Sequence, residues 1–462
     1  MSQALLYSKG ESHFSPWPYP LPLPLLFECN PSPWNGVTRG RGKILPLGIG
    51  TTLQAPGTSS GVDWFSVNTS DVSSIMPSSA VVISLAWAVG IFLRLSTANR
   101  RNVRKRMFLQ RLMMLVNQSE NGHPMSYCKL NHNMPILRLW FNVEAELMQD
   151  FRLSRRAMHG LQRLLQRDHD HGWGNQLEVL IYVYWLAHGL SYRVVSHVFN
   201  VPKSTIHRIV HIIAQKIWIN LKQAISFPQP EELHAVGQGF VQLSGTRAFR
   251  NVVGAIDGSH ISIKPPQHHQ IDYLNYKGFY SLNMQAICDS NGRFLDIFIG
   301  YPGSVHDTRV MKNSSFYKAR CYPPSGYILL GDGGYPCLDT PVCLITPYKQ
   351  PVNGPIQSRF NHYHSKGRSI IERAFGMMKT RWRSTLFRAL EVKPTFAPLV
   401  IASCAFLHNV CLDHGDMLEP DEDVAQDTFE PQPQREPLAY NESSGNATRD
   451  RLAALVSGNA EM

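Results

Sequence analysis

Asn251–Lys264 reads NVVGAIDGSHISIK, and the fold turns on this stretch. Apolar and β-branched residues lead up to a single acid, Asp257. That is the pattern of a buried strand. A carboxylate inside such a run is costly to ionise unless something offsets its charge, and a metal ion would do so. Next, Tyr280–Asp289 (YSLNMQAICD) and Arg293–Tyr301 (RFLDIFIGY) flank Ser290-Asn291-Gly292, a strong hairpin signal. Ser304–Tyr317 is predicted to be helical. Tyr327–Gly331 (YILLG) is predicted to be a strand ending at Asp332-Gly333-Gly334-Tyr335. Cys343–Thr346 supplies a short strand leading into Pro347-Tyr348-Lys349, and a helix over Ser369–Arg383 (SIIERAFGMMKTRWR) carries Glu372.

Three strands, a helix, a strand, a short strand and a helix make the order of an RNase H-like mixed sheet flanked by helices, so an α/β fold is expected. Asp257, Asp332 and Glu372 have 74 and 39 residues between them, yet the strand ends of such a sheet lie close together. Three carboxylates can hold two Mg²⁺ or Mn²⁺ ions about 4 Å apart. Hard oxygen donors suit these ions rather than zinc. Asp307 is a rival second metal ligand, the alternative being compensation of a helix N-terminal dipole. His260, three residues beyond Asp257, is expected on the opposite side of the strand in a structural role. Arg368 stands at i−4 from Glu372, where it can pair with it. Lys379 and Arg383 follow Glu372 at i+7 and i+11; they are candidates for phosphate contacts, with ordinary solvated charge as the alternative. His169, His171, His268 and His269 lack a spaced partner set and read as surface loop residues.

Outward to the N-terminal side, about residues 106–230 show helical periodicity. Within them, Leu177–Ile217 (LEVLIYVYWLAHGLSYRVVSHVFNVPKSTIHRIVHIIAQKI) divides into three helices. The first ends near His188-Gly189. The second, Ser191–Phe199, packs Val194, Val195 and Val198 below a Ser N-cap. After Asn200-Val201-Pro202 the third begins with Lys203 or Ser204 as its cap, and Ile206, Ile209, Val210 and Ile213 lie on one face. Lys203, Ser204, Thr205, His207 and Arg208 at its start are where a helix-turn-helix meets base edges and phosphates. A plain helical bundle is the competing reading.

The charge pattern fits a polyanionic partner. The chain has 462 residues, a net charge of +11 and a pI near 9.3. Residues 413–462 hold 12 acidic and 3 basic residues, so the preceding part is more basic than the whole. An acidic tail could compete for the chain's own nucleic-acid groove, or simply solubilise it. The eight cysteines include no CxxC pair, which argues against a zinc finger and favours a reducing compartment. The domain organisation expected is an uncertain or unstructured extension over 1–105, a helical domain with the helix-turn-helix over 106–235, a nuclease domain over 236–412, and an unstructured acidic tail over 413–462. Ala80–Leu93 is apolar for fourteen residues, short of the ~20 that cross a bilayer, so a membrane anchor is not favoured. The basic run Ala98–Arg106 could serve as a nuclear address.

Four segments, AIDGSHISI, YKGFYSLNMQAICDSNGRFLDIFIGYPGSVHDTRVMKNS, ILLGDGGYP and RSIIERAFGMMKTRW, resemble the DDE domain of PIF/Harbinger transposases. The resemblance spans about Phe141–Cys411, and the combined motifs are highly specific. It implies that the triad acids of the IDG, GDxGY and IER segments fall on Asp257, Asp332 and Glu372. It also implies dependence on Mg²⁺ or Mn²⁺, DNA as substrate, and a separate Myb-like partner for DNA recognition and nuclear entry; this chain shows no Myb-like Trp repeat. The expected function is a metal-dependent DNA endonuclease in the nucleus, with the cytoplasm as a second location and a homo-oligomer as a compatible assembly. The alternative is a catalytically silent protein that keeps the fold and binds DNA or a partner.

Overall fold

The computed structural model describes residues 134–166, 173–419 and 441–458, and nearly all of these belong to one compact unit. The apolar run Ala80–Leu93, the basic run Ala98–Arg106 and His169 and His171 lie outside the described residues. Among the described residues no helix is long and apolar enough to cross a membrane.

The described residues open with helices α1 (Pro135–Phe141), α2 (Met148–Phe151), α3 (Arg155–Leu164), α4 (Asn175–His188), α5 (Tyr192–Phe199), α6 (Lys203–Ile219) and α7 (Leu233–Ser244). Helix α4 is buried along nearly its whole length, so its apolar residues surround it instead of forming a stripe. On α6, Ile206, Ile209, Val210 and Ile213 are fully buried, as their 3.6-residue spacing predicts. Each such side chain contributes about 2 kcal/mol of burial before chain entropy is charged against it. Two details differ from expectation. Val194 is exposed, leaving Val195 and Phe199 as the buried face of α5, and the residue capping α6 is Pro202. Helix α7 also lies where β-rich texture was expected from about residue 235. Gly237 and Gly239 weaken its helical signature.

The sheet has five strands: β1 (Val252–Ser262), β2 (Ser281–Cys288), β3 (Phe294–Pro302), β4 (Ile328–Gly331) and β5 (Leu344–Ile345). Their order is β3-β2-β1-β4-β5. The first three pair antiparallel, whereas β1–β4 and β4–β5 are parallel. The mixed sheet flanked by helices is thus as expected. The hairpin turn between β2 and β3 is built by Asp289, whose Oδ1 accepts from the backbone N–H groups of Asn291 and Arg293 at 2.8 and 2.9 Å. Gly292 adopts φ 78°, which glycine tolerates without strain.

Helices α8 (Asp307–Asn313) and α9 (Ser315–Ala319) follow β3 and add Met311 and Phe316 to a core with Val253, Ile256, Ile287 and Leu329. The helix bearing Glu372, α10 (Pro355–Arg381), starts 14 residues earlier than predicted and runs against β1, β2 and β4. Its first half, PIQSRFNHYHSKGR, buries Phe360, His364 and Gly367 and has too few apolar residues to show a helical period. Helix α10 stops at Arg381. Arg383 instead opens α11 (Arg383–Leu386), so it does not share a helix face with Lys379. Helix α12 (Ala397–Asp413), almost wholly buried, packs on β3 and also against α3 and α6. The helices before residue 235 and the sheet after it therefore share one packed body.

Helix α13 (Ser443–Gly458) corrects the expectation of an unstructured tail over 413–462. It buries Leu452, Ala453 and Val456 and packs along α10 and β5. The tail also begins anchored, because Asp416 Oδ2 accepts from the Ser154 N–H at 2.6 Å. Net charge gave no hint of this short apolar stripe.

Candidate active site

Three elements converge on one cleft of about 380 Å³. Strand β1 brings Asp257, the loop after β4 brings Asp332, and α10 brings Glu372; all three line the cleft. The parallel pairing of β1 with β4 sets Ile256 opposite Gly331, so the acids that follow each of them emerge side by side. Asp332 is fixed by its turn, its Oδ1 accepting from the Gly334 N–H at 3.0 Å.

Arg368, one turn before Glu372, also lines the cleft. Its guanidinium donates to Asp257 Oδ2 at 3.0 Å and to Glu372 Oε1. The Asp257, Glu372 and Arg368 side chains are 13%, 7% and 17% exposed, so solvent screens them little. Burial raises the Asp257 carboxyl well above the usual carboxylate range, and the neighbouring Asp332 raises it further, against the pull of Arg368. Burial also raises Asp332 and Glu372, and Arg368 opposes both shifts. For Arg368 burial alone would lower the pKa, but Asp257, Glu372 and Asp332 together reverse the sign. Mutual repulsion between two desolvated carboxylates marks a site that demands positive charge.

The donor set is all carboxylate oxygen, which fits Mg²⁺ or Mn²⁺ in kind. Asp257, Asp332 and Glu372 are the residues that would hold such ions. Among the described residues, however, no group of three His, Cys, Asp or Glu side chains is drawn together tightly enough to hold a metal. The Arg368 fork stands between two of the acids.

The remaining candidates divide. Asp307 is buried outside the cleft lining, and its Oδ1 accepts from Asn283 Nδ2 at 2.8 Å. It lies against Gly258, where an added Cβ would come within 2.5 Å of that oxygen. It also heads α8, in keeping with the helix-dipole alternative. Lys379 lines the cleft, whereas Arg383 sits over the Phe387 ring at 4.9 Å. Contrary to the alternation argument, His260 lines the cleft as well. It contacts Ser281 Oγ through Nδ1 at 3.1 Å, and burial with nearby Lys379 and Lys277 pushes it down to about 4. Lys203, Ser204, His207 and Arg208 are exposed at the start of α6, and Thr205 is half-buried.

Sequence reasoning missed the bond from Arg368 to Asp257 and the part played by Tyr348. The first spans 111 positions, so only the i,i+4 pair with Glu372 was visible. Tyr348 lines the cleft and donates to Asp450 Oδ1 of α13 at 2.5 Å, while the Arg449 guanidinium stacks 4.1 Å from its ring.

Residues 256–409 match the family of the DDE superfamily endonuclease. Over these residues the chain is similar to DDE endonuclease domains. The matched residues include all three cleft acids and Arg368. "Putative nuclease HARBI1" of Homo sapiens and of Bos taurus are each 31% identical to the chain over 222 residues, 47% of this chain and 61% of theirs. The chain therefore covers less than two thirds of the length of those relatives. "Protein ALP1-like" of Arabidopsis thaliana is 28% identical over 291 residues, covering 59% of this chain and 69% of that protein. No solved structure matches the chain.

Proposed function

We propose that the chain is a divalent-metal-dependent DNA endonuclease of transposase origin that hydrolyses phosphodiester bonds. The observation that carries this reading is the meeting of Asp257, Asp332 and Glu372 in one cleft of a DDE endonuclease domain. Two nuclease-named relatives in mammals support it. Mg²⁺ or Mn²⁺, when bound by such carboxylates, supplies water activation and stabilisation of the leaving oxygen. The chain's own residues hold the charge and position the substrate. Asp257 is held by strand β1 and Asp332 by the tight turn at Gly334. Lys379 in the same cleft is placed to meet a phosphate of the bound strand.

In the same reading α5 and α6 act as a helix-turn-helix, with Lys203, Ser204, Thr205, His207 and Arg208 directed at DNA. The positive-φ residue Asn200 makes the turn between them, and the exposed polar start of α6 supports the assignment. A nuclear location and a Myb-like DNA-binding partner belong to the proposal.

The test is cleavage of duplex DNA by the purified full chain in Mg²⁺ or Mn²⁺. Wild type is expected to cut, while Asp257→Ala, Asp332→Ala and Glu372→Ala each fall to background. Undiminished cutting by Asp257→Ala would mean that the activity belongs to something else. A second reading, a catalytically silent DNA- or partner-binding protein, draws on the guanidinium that stands between the acids. It prevails if wild type binds DNA with a steep salt dependence and never cuts with either metal.

A further inference from the structure

Arg368 bonds to carboxylates from separate parts of the chain. Nη1 donates to Asp257 Oδ2 at 3.0 Å on β1, and Nη2 donates to Glu372 Oε1 on its own helix. A guanidinium is a rigid planar fork that stays charged, so it holds both acids at once and cannot relieve the contact by losing a proton. Oxygens engaged by this fork are oxygens that a divalent ion would also need. An ion entering among them would meet a fixed positive charge where solvent screening is weak, since the Arg368 side chain is 17% exposed. Among the described residues no group of three His, Cys, Asp or Glu side chains is close enough to hold a metal ion, and this fork lies between two of the three cleft acids.

We propose that Arg368 is a resident counter-cation that competes with divalent metal for the carboxylates of the cleft, so that metal entry requires its guanidinium to leave them. The inference rests on the reading of Asp257, Asp332 and Glu372 as metal ligands. It adds that the chain carries its own antagonist of that binding. Arg368 is thus a positioning residue: it holds the acids together before metal arrives and must release them when metal binds. Removal of its charge should strengthen metal binding, whereas a residue that merely supports the site should weaken binding when it is removed. The two roles predict opposite signs.

The experiment is calorimetric titration of Mn²⁺ into the full chain without DNA, comparing wild type, Asp332→Ala, Arg368→Gln, Arg368→Lys and the double variant Arg368→Gln/Asp332→Ala. Circular dichroism checks that each is folded. Arg368→Gln is expected to bind Mn²⁺ about tenfold more tightly than wild type, or better. Arg368→Lys keeps the cation and should stay near wild type, and the double variant should lose the gain. If Arg368→Gln does not fold, Arg368→Met keeps the aliphatic stem and carries the same expectation. Equal or weaker binding by a folded charge-free variant, beside a wild type that binds Mn²⁺ through Asp332, overturns this proposal alone. Failure of wild type and both charge-free variants to bind Mn²⁺ overturns the metal-site reading and this inference with it.

Discussion

Asp332 stands beside a second acid, and its partners include the N–H of a turn, Gly334. Burial lifts its carboxyl above the ordinary range, with Arg368 opposing. A raised folded value means that the folded protein holds this proton more tightly than the unfolded chain does. The stability it contributes is present below the unfolded value of about 4 and is lost as pH rises through the folded value. At neutral pH the ionised group is therefore a net cost to folding. Asp332→Asn should melt higher than wild type at pH 7.5 in chelator, by about 1 kcal/mol or about 2 °C, and the advantage should shrink toward pH 4.5. Scanning calorimetry at the two pH values decides this, and a wild type that melts higher at pH 7.5 contradicts it. Asp257 was legible because an acid interrupts an apolar run, and Asp332 because it precedes Gly333-Gly334. The contact that balances Asp257 was not, because nothing local links positions 257 and 368.

Among the elements, the sheet was the most readable part, since alternation, an Asn-Gly turn and short apolar runs specify strands locally. The helices were read unevenly. α6 has a clean stripe and was found; α12 is buried all round and has no stripe to find. The first half of α10 is too polar to show a period, and α13 lay in a segment whose net charge hid Leu452, Ala453 and Val456. Helix α13 nevertheless braces the cleft wall through Asp450, which accepts from the Tyr348 hydroxyl at 2.5 Å. Asp450→Ala and Tyr348→Phe should each cost about 1–2 kcal/mol. Because they remove the same bond, the double variant should cost clearly less than the sum. Urea unfolding of the four proteins measures this, and strictly additive costs would show that the bond does not couple the two elements.

For the molecule as a whole, the basic excess before residue 413 is a statement about partners, and it agrees with the proposed DNA substrate. The exposed start of α6 lies on a different element from the carboxylate cleft, so binding and cutting should be separable. Arg208→Ala is expected to weaken DNA binding across unrelated sequences and to lower the salt slope by about 1. Asp332→Asn should leave that slope unchanged. Anisotropy titrations from low to moderate salt check both, and an unaltered slope for Arg208→Ala would remove α6 from the interface. The sequence alone suggested separate helical and nuclease domains. Packing of α12 against α3 and α6 ties them together, and such long-range burial has no local sequence mark.

The bracing helix α13 comes later in the chain than every described strand and all three cleft acids. During synthesis the N-terminal segments leave the ribosome first, at about 5–20 residues per second. With Glu372 already clear of the tunnel, Tyr348 must still wait for residue 450 to emerge. A nascent chain therefore passes several seconds with all its cleft acids synthesised and one wall of its cleft still to come.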